Sequence, residues 1–305
     1  MTRPDLVASA LARLYDVDLI EDPGDLDLYR ALAARTGGPI LEIGVGTGRI
    51  AVPLAVAGHQ VTGLDTDPAM LARARERASA AGPQVARRLE LLTGDARRPP
   101  AGVGTVHLAF VALNSLMVFG DRADQGATVR AIADHLEPGG LAVVDVWLPD
   151  AEDLARYDGR LGLEYVRRDP DTGDTVTKFA SAVHDPATGT VELIDIYEEG
   201  RQGEAPRRWI RNDRLRLVSA DDLRAFAEDA GLVVEVIAGD YDLTPLRPGD
   251  GRAILVARRD ESPRTRPAIR TATGVGARAG QAGRGGPAGG ARSGPAGRGG
   301  PAGLV

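Results

Sequence analysis

The stretch Leu41-Glu42-Ile43-Gly44-Val45-Gly46-Thr47-Gly48 decides how this chain folds. An apolar strand, predicted over 39–43, runs into a turn with three alternate glycines, and a helix is predicted to begin near Gly48. Such a turn needs glycine because a Cβ would forbid its backbone conformations and keep a ligand away from the main chain. The pattern predicts a ligand-binding turn at the carboxyl end of a buried strand.

The spacing of the glycines separates this turn from a dinucleotide-binding fingerprint. A Gly-x-Gly-x-x-Gly turn places a pyrophosphate at a helix N-terminus, whereas here the third glycine comes one position earlier. Glu42 lies directly before the turn, where its carboxylate would repel a pyrophosphate. The pattern therefore favours a ligand with positive charge, such as an ammonium joined to a sulfonium.

The second predicted strand, over 60–64, ends in a carboxylate. Asp65 follows Gly44 by 21 residues, and an aspartate at this edge of a parallel sheet can accept both ribose hydroxyls. Asp67 is better placed to cap the next helix, because it directly precedes Pro68 at the first helical position. Asp65 is therefore left free for a ligand.

A third strand end repeats the pattern. Asp95 follows a strand predicted over 89–92, and its carboxylate could accept a hydrogen bond from an adenine amino group. Three consecutive strand ends with Gly or Asp at the same place are hard to explain by folding alone.

The remaining pattern predicts an α/β fold. Further strands are expected over 106–113 and 141–147, with helices between successive strands, and such alternation implies right-handed crossovers. Period-two segments and turn signals from 161 to 218 indicate an inserted antiparallel sheet. A helix capped by Ser219 and a closing strand pair follow. We predict a Rossmann-like, doubly wound, mostly parallel seven-stranded sheet with an antiparallel sheet inserted after the fifth strand.

The chain divides into five predicted parts. These are an N-terminal helical cover over 1–36, a ligand-binding core over 37–150, the inserted sheet over 151–218, the rest of the core over 219–259 and a tail over 260–305. The tail repeats AGRGGPAG and has no aromatic residue. It cannot bury enough surface to offset ordering, so we expect disorder. An RNA-binding arm would interleave aromatic residues for base stacking.

Charge and composition exclude several classes. From Ser262 onward the tail contributes +7 to the net charge of −6, so residues 1–261 carry −13. An acidic body repels a polyphosphate, which argues against nucleic acid as the substrate. The chain has no cysteine, which excludes disulfides and zinc–thiolate sites and fits a cytoplasmic protein. No apolar run suits a membrane span or a signal peptide.

The motifs together resemble those of class I methyltransferases that use S-adenosylmethionine (SAM). The likeness covers 40–147 and is carried, in order, by LEIGVGTGRIAVPLAVAGHQVTGLDTDPAMLARAR, LLTGDARR, ALNSLMVF and HLEPGGLAVVDVW. The segment Leu14-Tyr15-Asp16 and the insertion are more loosely similar to amino-sugar N,N-dimethyltransferases and glycine N-methyltransferase-like enzymes. The resemblance implies methyl transfer from SAM to nitrogen or oxygen of a small-molecule acceptor.

The resemblance also implies where SAM binds. Its site residues would be Glu42, Gly44 and Gly46 at the methionine part, Asp65 at the ribose, Thr66, Met70, Asp95 and Ala96 around the adenine, and Val111 beside the sulfonium. Tyr15 would close over the donor and, with Asn114, is a candidate catalytic residue. No metal is expected.

Alternatives remain for the activity. An NAD-dependent oxidoreductase shares the sheet and the ribose carboxylate, but the glycine spacing and Glu42 disfavour it. An RNA or protein methyltransferase aided by the tail is a second alternative. Against a base-modifying enzyme, residues 112–115 lack the Asn/Asp-Pro-Pro-aromatic pattern. A SAM-binding regulator without activity would show the same motifs.

The inserted sheet is expected to cover the acceptor site, to pair two subunits in a homodimer, or to do both. Five of its side chains could contact the acceptor or equally lie on a solvated face, namely Asp195, Tyr197, Glu198, Arg208 and Trp209.

Overall fold

The computed structural model describes residues 3–201 and 203–260. Its helices are α1 (Arg3–Asp18), α2 (Leu26–Thr36), α3 (Ala51–Val56), α4 (Pro68–Ala80), α5 (Pro83–Arg88), α6 (Arg122–His135), α7 (Ala151–Arg156) and α8 (Ala220–Asp229), with a 3-10 turn at Ser115–Val118. Apart from Asp260, the predicted tail lies outside the described residues.

The strands form two sheets. They are β1 (Ile40–Ile43), β2 (Val61–Asp65), β3 (Leu89–Thr93), β4 (Val106–Val111), β5 (Leu136–Trp147), β6 (Gly162–Arg168), β7 (Thr175–Asp185), β8 (Thr190–Gly200), β9 (Arg207–Arg216), β10 (Leu232–Ala238) and β11 (Arg252–Arg259). The larger sheet has the order β10-β11-β5-β4-β1-β2-β3, and the smaller one has the order β6-β7-β8-β9.

The order of the larger sheet confirms the doubly wound fold. Strands β1 to β5 pair in parallel, while β11 runs antiparallel to both β5 and β10. From β1 the chain builds outward to β2 and β3, and it then returns to add β4 on the other side. The strand order therefore reverses between β1 and β4, and ligands bind outside the carboxyl ends of the strands at such a point.

Alternate side chains of β1 enter two different cores. Leu41 and Ile43 pack in the hydrophobic cluster that contains the buried side chains of α6 and α8. Ile40 packs in the cluster of α2 and α3. All four β1 residues are buried, as expected for a central parallel strand covered on both faces.

One predicted strand boundary is wrong. We expected the fifth strand over 141–147, but β5 already begins at Leu136. The chain passes through Gly139 at φ +81°, and the register with β4 shifts between Val106 and Leu108. A local irregularity absorbs the proline and the glycines without ending the strand.

The smaller sheet is the predicted insertion. It follows β5 in the chain, and every neighbouring pair of its strands is antiparallel. Burial along β8 alternates from residue to residue, so the sheet has an inner face against the rest of the protein and an outer face. The division of the whole chain into five parts stays a prediction.

The helix α1 lies against the inner face of the inserted sheet. Leu14 and Val17 pack in one small core with Val176 and Tyr197. Arg167 of β6 donates hydrogen bonds to the backbone oxygens at positions 17 and 18, at 3.0 and 2.7 Å. The helix α1 is thus joined to this sheet by both apolar and polar contacts.

Across residues 3–201 and 203–260, no helix has both the length and the apolar character that crossing a membrane requires.

We expect the Ser219→Ala variant to lower the free energy of unfolding by about 1 kcal/mol, the usual value of an N-cap. Ser219 Oγ accepts a hydrogen bond from the Asp222 backbone nitrogen at 3.0 Å, and the Asp222 carboxylate accepts one from the Ser219 backbone nitrogen at 3.3 Å. Urea unfolding measures the change. Ser79→Ala, on the exposed face of α4, is the control and should stay within about 0.5 kcal/mol of the parent. Equal effects would show that the cap contributes nothing.

Candidate functional site

The three glycines of the turn after β1 all adopt positive φ, at +73° for Gly44, +52° for Gly46 and +78° for Gly48. A Cβ on Gly44 would stand 3.2 Å from the Ser115 side chain. A Cβ on Gly46 would meet only the Tyr15 ring, at 3.9 Å. The turn therefore presents bare backbone on the side that Tyr15 covers, as predicted for close approach of a ligand.

Asp65 is tied to this turn. Its Oδ2 accepts a hydrogen bond from the Gly46 backbone nitrogen at 2.8 Å, and its Oδ1 accepts one from the Asp67 nitrogen at 2.9 Å. Each carboxylate oxygen can accept a further bond, so both remain able to receive ribose hydroxyls. Burial raises the pKa of Asp65, and the backbone hydrogen bonds oppose that shift. Asp67 caps α4 through Ala69, as predicted.

Glu42 is buried directly below the turn. Its Oε2 has no hydrogen-bond partner in the part of the chain that the structure describes. Burial raises the pKa of Glu42 well above its ordinary value, while the nearby Arg49 guanidinium lowers it. Arg49 is itself held by both oxygens of the buried Asp25, at 2.6 Å each. A buried carboxylate oxygen without a partner fits a ligand ammonium, and so these residues fit the methionine part of SAM.

The carboxylate after β3 does not stand open as we expected. Asp95 binds Arg97, whose Nε lies 2.9 and 3.0 Å from its two oxygens. This guanidinium lowers the pKa of Asp95 to about 2. Sequence reasoning missed Arg97, although it lies only two positions away. A role for Asp95 at the adenine stays a prediction.

The other predicted adenine contacts lie along the same edge. Thr66 follows β2 and is exposed, Met70 lies half-buried in the first turns of α4, and Ala96 is buried after β3. The structure thus brings them to the side where Asp65 ends its strand. Their roles toward the adenine stay predictions.

Val111 is the last residue of β4, and Asn114 follows that strand. Both lie beside the glycine turn. Val111 is fully buried. Asn114 adopts φ +68°, and its Oδ1 accepts a hydrogen bond from the Trp147 backbone nitrogen at 2.6 Å. That bond joins the ends of β4 and β5, which gives Asn114 a structural function. Its catalytic role stays a prediction.

The N-terminal helix fixes Tyr15 over the turn. The neighbouring Asp16 accepts hydrogen bonds from Thr47 Oγ1 at 2.6 Å and from Arg73 Nε at 2.7 Å. The Arg211 guanidinium carbon lies 5.9 Å from the Tyr15 ring centroid. Burial raises the pKa of Tyr15 to about 12, although the Arg49 and Arg211 guanidinium groups lower it. Tyr15 therefore keeps its proton near pH 7, and its closure over the donor and its catalytic role stay predictions.

A buried polar cluster behind the pocket is centred on Asp145, which sequence reasoning missed. Asp145 on β5 is ion-paired with Arg252 and accepts a hydrogen bond from the Tyr241 hydroxyl at 3.2 Å. Tyr29, which stacks on Phe110 with ring centroids 4.4 Å apart, has a pKa raised well above its ordinary value by burial. The signal was a single aspartate inside the apolar run of β5.

The inserted sheet sorts the five candidate side chains by face. Asp195, Tyr197 and Trp209 lie on the inner face, because their positions share the buried register of β8 and its partner β9. Glu198 and Arg208 lie on the outer face and pair with each other, with Arg208 Nε 3.0 Å from the carboxylate. The first three therefore lie on the side facing the rest of the protein.

Comparison with known proteins assigns the ligand-binding part of the chain. Residues 40–140 match the family described as "Methyltransferase domain". This region contains the glycine turn and every predicted SAM-site residue, and it ends within β5.

Three relatives illustrate the likeness. A carboxy-S-adenosyl-L-methionine synthase of Chromohalobacter salexigens is 32% identical over 143 residues, which cover 43% of this chain and 49% of that protein. A dTDP-3-amino-3,4,6-trideoxy-alpha-D-glucopyranose N,N-dimethyltransferase of Streptomyces venezuelae is 28% identical over 202 residues, covering 66% and 77%. The CcbJ methyltransferase structure from Streptomyces caelestis aligns with TM-score 0.67 and 27% identity, covering 78% and 97%.

The chain spans about half the length of the first of these relatives. The comparisons confirm the predicted class I methyltransferase fold, its SAM cofactor and its resemblance to amino-sugar N,N-dimethyltransferases.

We expect Asp65→Ala to weaken binding of S-adenosylhomocysteine, the demethylated product, by about 10- to 100-fold, the size of lost charge-assisted hydrogen bonds. Isothermal titration calorimetry measures this affinity. The control Asp67→Ala removes only the helix cap, and so it should change the affinity by less than about threefold. Unchanged affinity in Asp65→Ala would show that this carboxylate does not hold the ribose.

Proposed function

We propose that this chain, whose residues 40–140 are a class I SAM-dependent methyltransferase domain, methylates a nitrogen of a small-molecule acceptor in the cytoplasm. The observation that carries the donor half of the proposal is the buried, unpartnered oxygen of Glu42 below a bare glycine turn. Asp65 lies beside this turn. The site therefore offers one carboxyl group, that of Glu42, to the amino-acid part of the donor and another, that of Asp65, to its ribose.

The same carboxylates disfavour an NAD-dependent oxidoreductase. A pyrophosphate bound at this turn would approach the buried Glu42 and Asp65, and the repulsion between like charges grows where solvent is excluded. A cationic donor gains from both groups.

Positioning is the main contribution of this site to the reaction. SAM supplies a methyl group on a sulfonium that leaves readily. Holding the acceptor in line can lower the barrier by about 7–11 kcal/mol. Tyr15, fixed by α1 over the turn, excludes water from the reacting groups. The bare main chain at Gly44 and Gly46 lets the donor approach the turn closely.

The acceptor is better matched by an amine than by a phenol or an alcohol. A neutral amine attacks without a general base, whereas a hydroxyl needs one. The tyrosine nearest the turn, Tyr15, has a pKa of about 12 and keeps its proton. The relative from Streptomyces venezuelae bears the name of an amino-sugar N,N-dimethyltransferase, and this supports an amino sugar or a related amine.

A screen for turnover tests the proposal. We expect purified protein with SAM to release S-adenosylhomocysteine with at least one amine or amino sugar, at least about tenfold faster than with phenols of similar size, because a neutral amine attacks with its lone pair whereas a phenol must first lose its proton. Asp65→Ala serves as the donor-site control and should lose this turnover. Faster turnover of phenols would contradict N-methylation and indicate O-methylation instead. The absence of turnover with every acceptor would contradict enzymatic activity.

We further propose that the outer face of the inserted sheet pairs two copies of the chain. This face carries large apolar side chains that are 41–61% exposed, namely Leu163, Val166, Val183, Ile194 and Ile210. Exposed apolar patches of this kind mark interaction surfaces. A sheet face can bury itself against its own copy around a two-fold axis.

For the proposed dimer we expect Ile210→Arg to yield a monomer, since a charge at the centre of an apolar interface would have no partner. Analytical ultracentrifugation measures the mass. Val233→Arg, at a residue 48% exposed on β10, is the matched control and should stay dimeric. A monomeric parent protein at micromolar concentration would contradict the dimer.

A further inference from the structure

The inner face of the inserted sheet carries charged groups that α1 buries. Lys178, the only lysine in the sequence, has its Nζ 3.2 Å from Asp18 Oδ2 and 3.2 Å from Asp195 Oδ2. Asp18 also accepts hydrogen bonds from the hydroxyls of Tyr165, at 2.5 Å, and Tyr197, at 2.7 Å. Asp18 is therefore fully satisfied by the protein.

Asp195 is satisfied at one oxygen only. Its side chain is 6% exposed, and its Oδ1 has no hydrogen-bond partner among residues 3–201 and 203–260. Arg211, its directly opposite neighbour on β9, is paired with Asp213 at 2.6 Å. The Arg211 guanidinium is thus paired elsewhere, and a buried carboxylate oxygen is costly to leave unpaired.

On the next strand, a buried hydrogen-bond donor also lacks a partner. The indole nitrogen of Trp209 is buried and makes no hydrogen bond within the described part of the chain. Trp209 is opposite Tyr197, which lies two residues after Asp195 on the same strand. Diagonal neighbours of this kind are separated by about 7 Å. At these adjacent positions of the inner face, Asp195 therefore lacks a hydrogen-bond donor and Trp209 lacks an acceptor.

The balance of charges around Asp195 indicates that its missing partner is a cation. Asp18, Asp195 and the half-buried Glu164 act on one another and share Lys178. These three carboxylates thus share the Lys178 ammonium, and the Arg211 guanidinium is a further positive charge that acts on Asp195. A further positive charge at Asp195 would reduce the repulsion between them.

This part of the inner face adjoins the donor turn. Arg211, across from Asp195, lies with its guanidinium carbon 5.9 Å from the Tyr15 ring centroid. The same ring lies 3.9 Å from the place where a Cβ of Gly46 would stand. Asp195 therefore lies on the part of the inner face that adjoins the glycine turn.

We propose that Asp195 Oδ1 binds the amino group of the methyl acceptor and that the Trp209 indole donates a hydrogen bond to an oxygen of the same molecule. This inference rests on the proposed methyl transfer and assigns its acceptor to the amino alcohols, which include amino sugars.

Calorimetry on protein loaded with S-adenosylhomocysteine tests the assignment, with D-glucosamine and D-glucose as probes that differ in one amino group. We expect glucosamine to bind at least about tenfold more tightly than glucose, as expected for a charge-assisted hydrogen bond. Asp195→Asn should remove this preference and leave glucose binding unchanged. Trp209→Phe should weaken both sugars to the same extent.

Glu198→Gln is the matched control, since Glu198 is three residues further along β8 on the outer face, and it should bind both sugars like the parent. Loss of S-adenosylhomocysteine binding in Asp195→Asn would identify a folding defect, in which case the preference of the parent and the Trp209→Phe result decide. The inference is overturned if the parent binds both sugars equally or binds neither, or if Asp195→Asn keeps the preference. Intact S-adenosylhomocysteine binding and amine turnover alongside that result would leave the proposed function standing.

Discussion

The site depends on one hydrogen bond, from the Gly46 backbone nitrogen to the Asp65 carboxylate at 2.8 Å. It joins the turn after β1 to the end of β2, so the two neighbouring strands present their ends as one rigid edge. The bond also fixes the carboxylate in the place where the turn exposes bare main chain. Since Glu42 lies buried below the same turn, the turn has carboxyl groups at two points, and burial raises the pKa of both. A cationic donor favours their ionised forms, whereas an anionic dinucleotide opposes ionisation.

The helix α1 connects the donor site to the inserted sheet. Asp16 holds the glycine turn and α4 through Thr47 and Arg73, while Asp18, two residues later, holds the sheet through Lys178. Buried ion pairs add little to stability compared with apolar packing, but breaking one leaves an unpaired charge at a cost of about 3–5 kcal/mol. The two aspartates therefore fix where the sheet lies relative to the donor, and they couple the two halves of the site.

The sequence predicts the edge of the larger sheet better than it predicts the chemistry of the acceptor side. The glycine turn, Asp65 and the Ser219 cap follow from local rules, because their partners lie on the adjacent strand or within three residues. The pairing of Asp95 with Arg97 is also local, but nothing in the spacing says whether a guanidinium or a ligand takes the carboxylate.

The inserted sheet could not be read in the same way. Its period of two separates two faces, yet the sequence does not say which face is covered, and both carry charged and aromatic residues. Only packing against α1 distinguishes Asp195, which is buried, from Glu198, which pairs with Arg208 on the outer face. Likewise, β5 continues through its proline and glycines with a shift in its register to β4, and the local turn signal did not predict this irregularity.

A carboxylate that binds an ammonium also holds back the proton that the amine must lose before it can attack. Burial raises the pKa of Asp195, while Lys178 opposes this shift. A raised pKa brings the carboxyl closer to that of a bound amine and lowers the free energy needed to pass the proton from nitrogen to oxygen. The same burial that leaves Asp195 in need of a partner thus makes it a better proton acceptor. Under the proposed assignment, one side chain would orient the acceptor and release its lone pair, and Tyr15 would be needed only to keep water out.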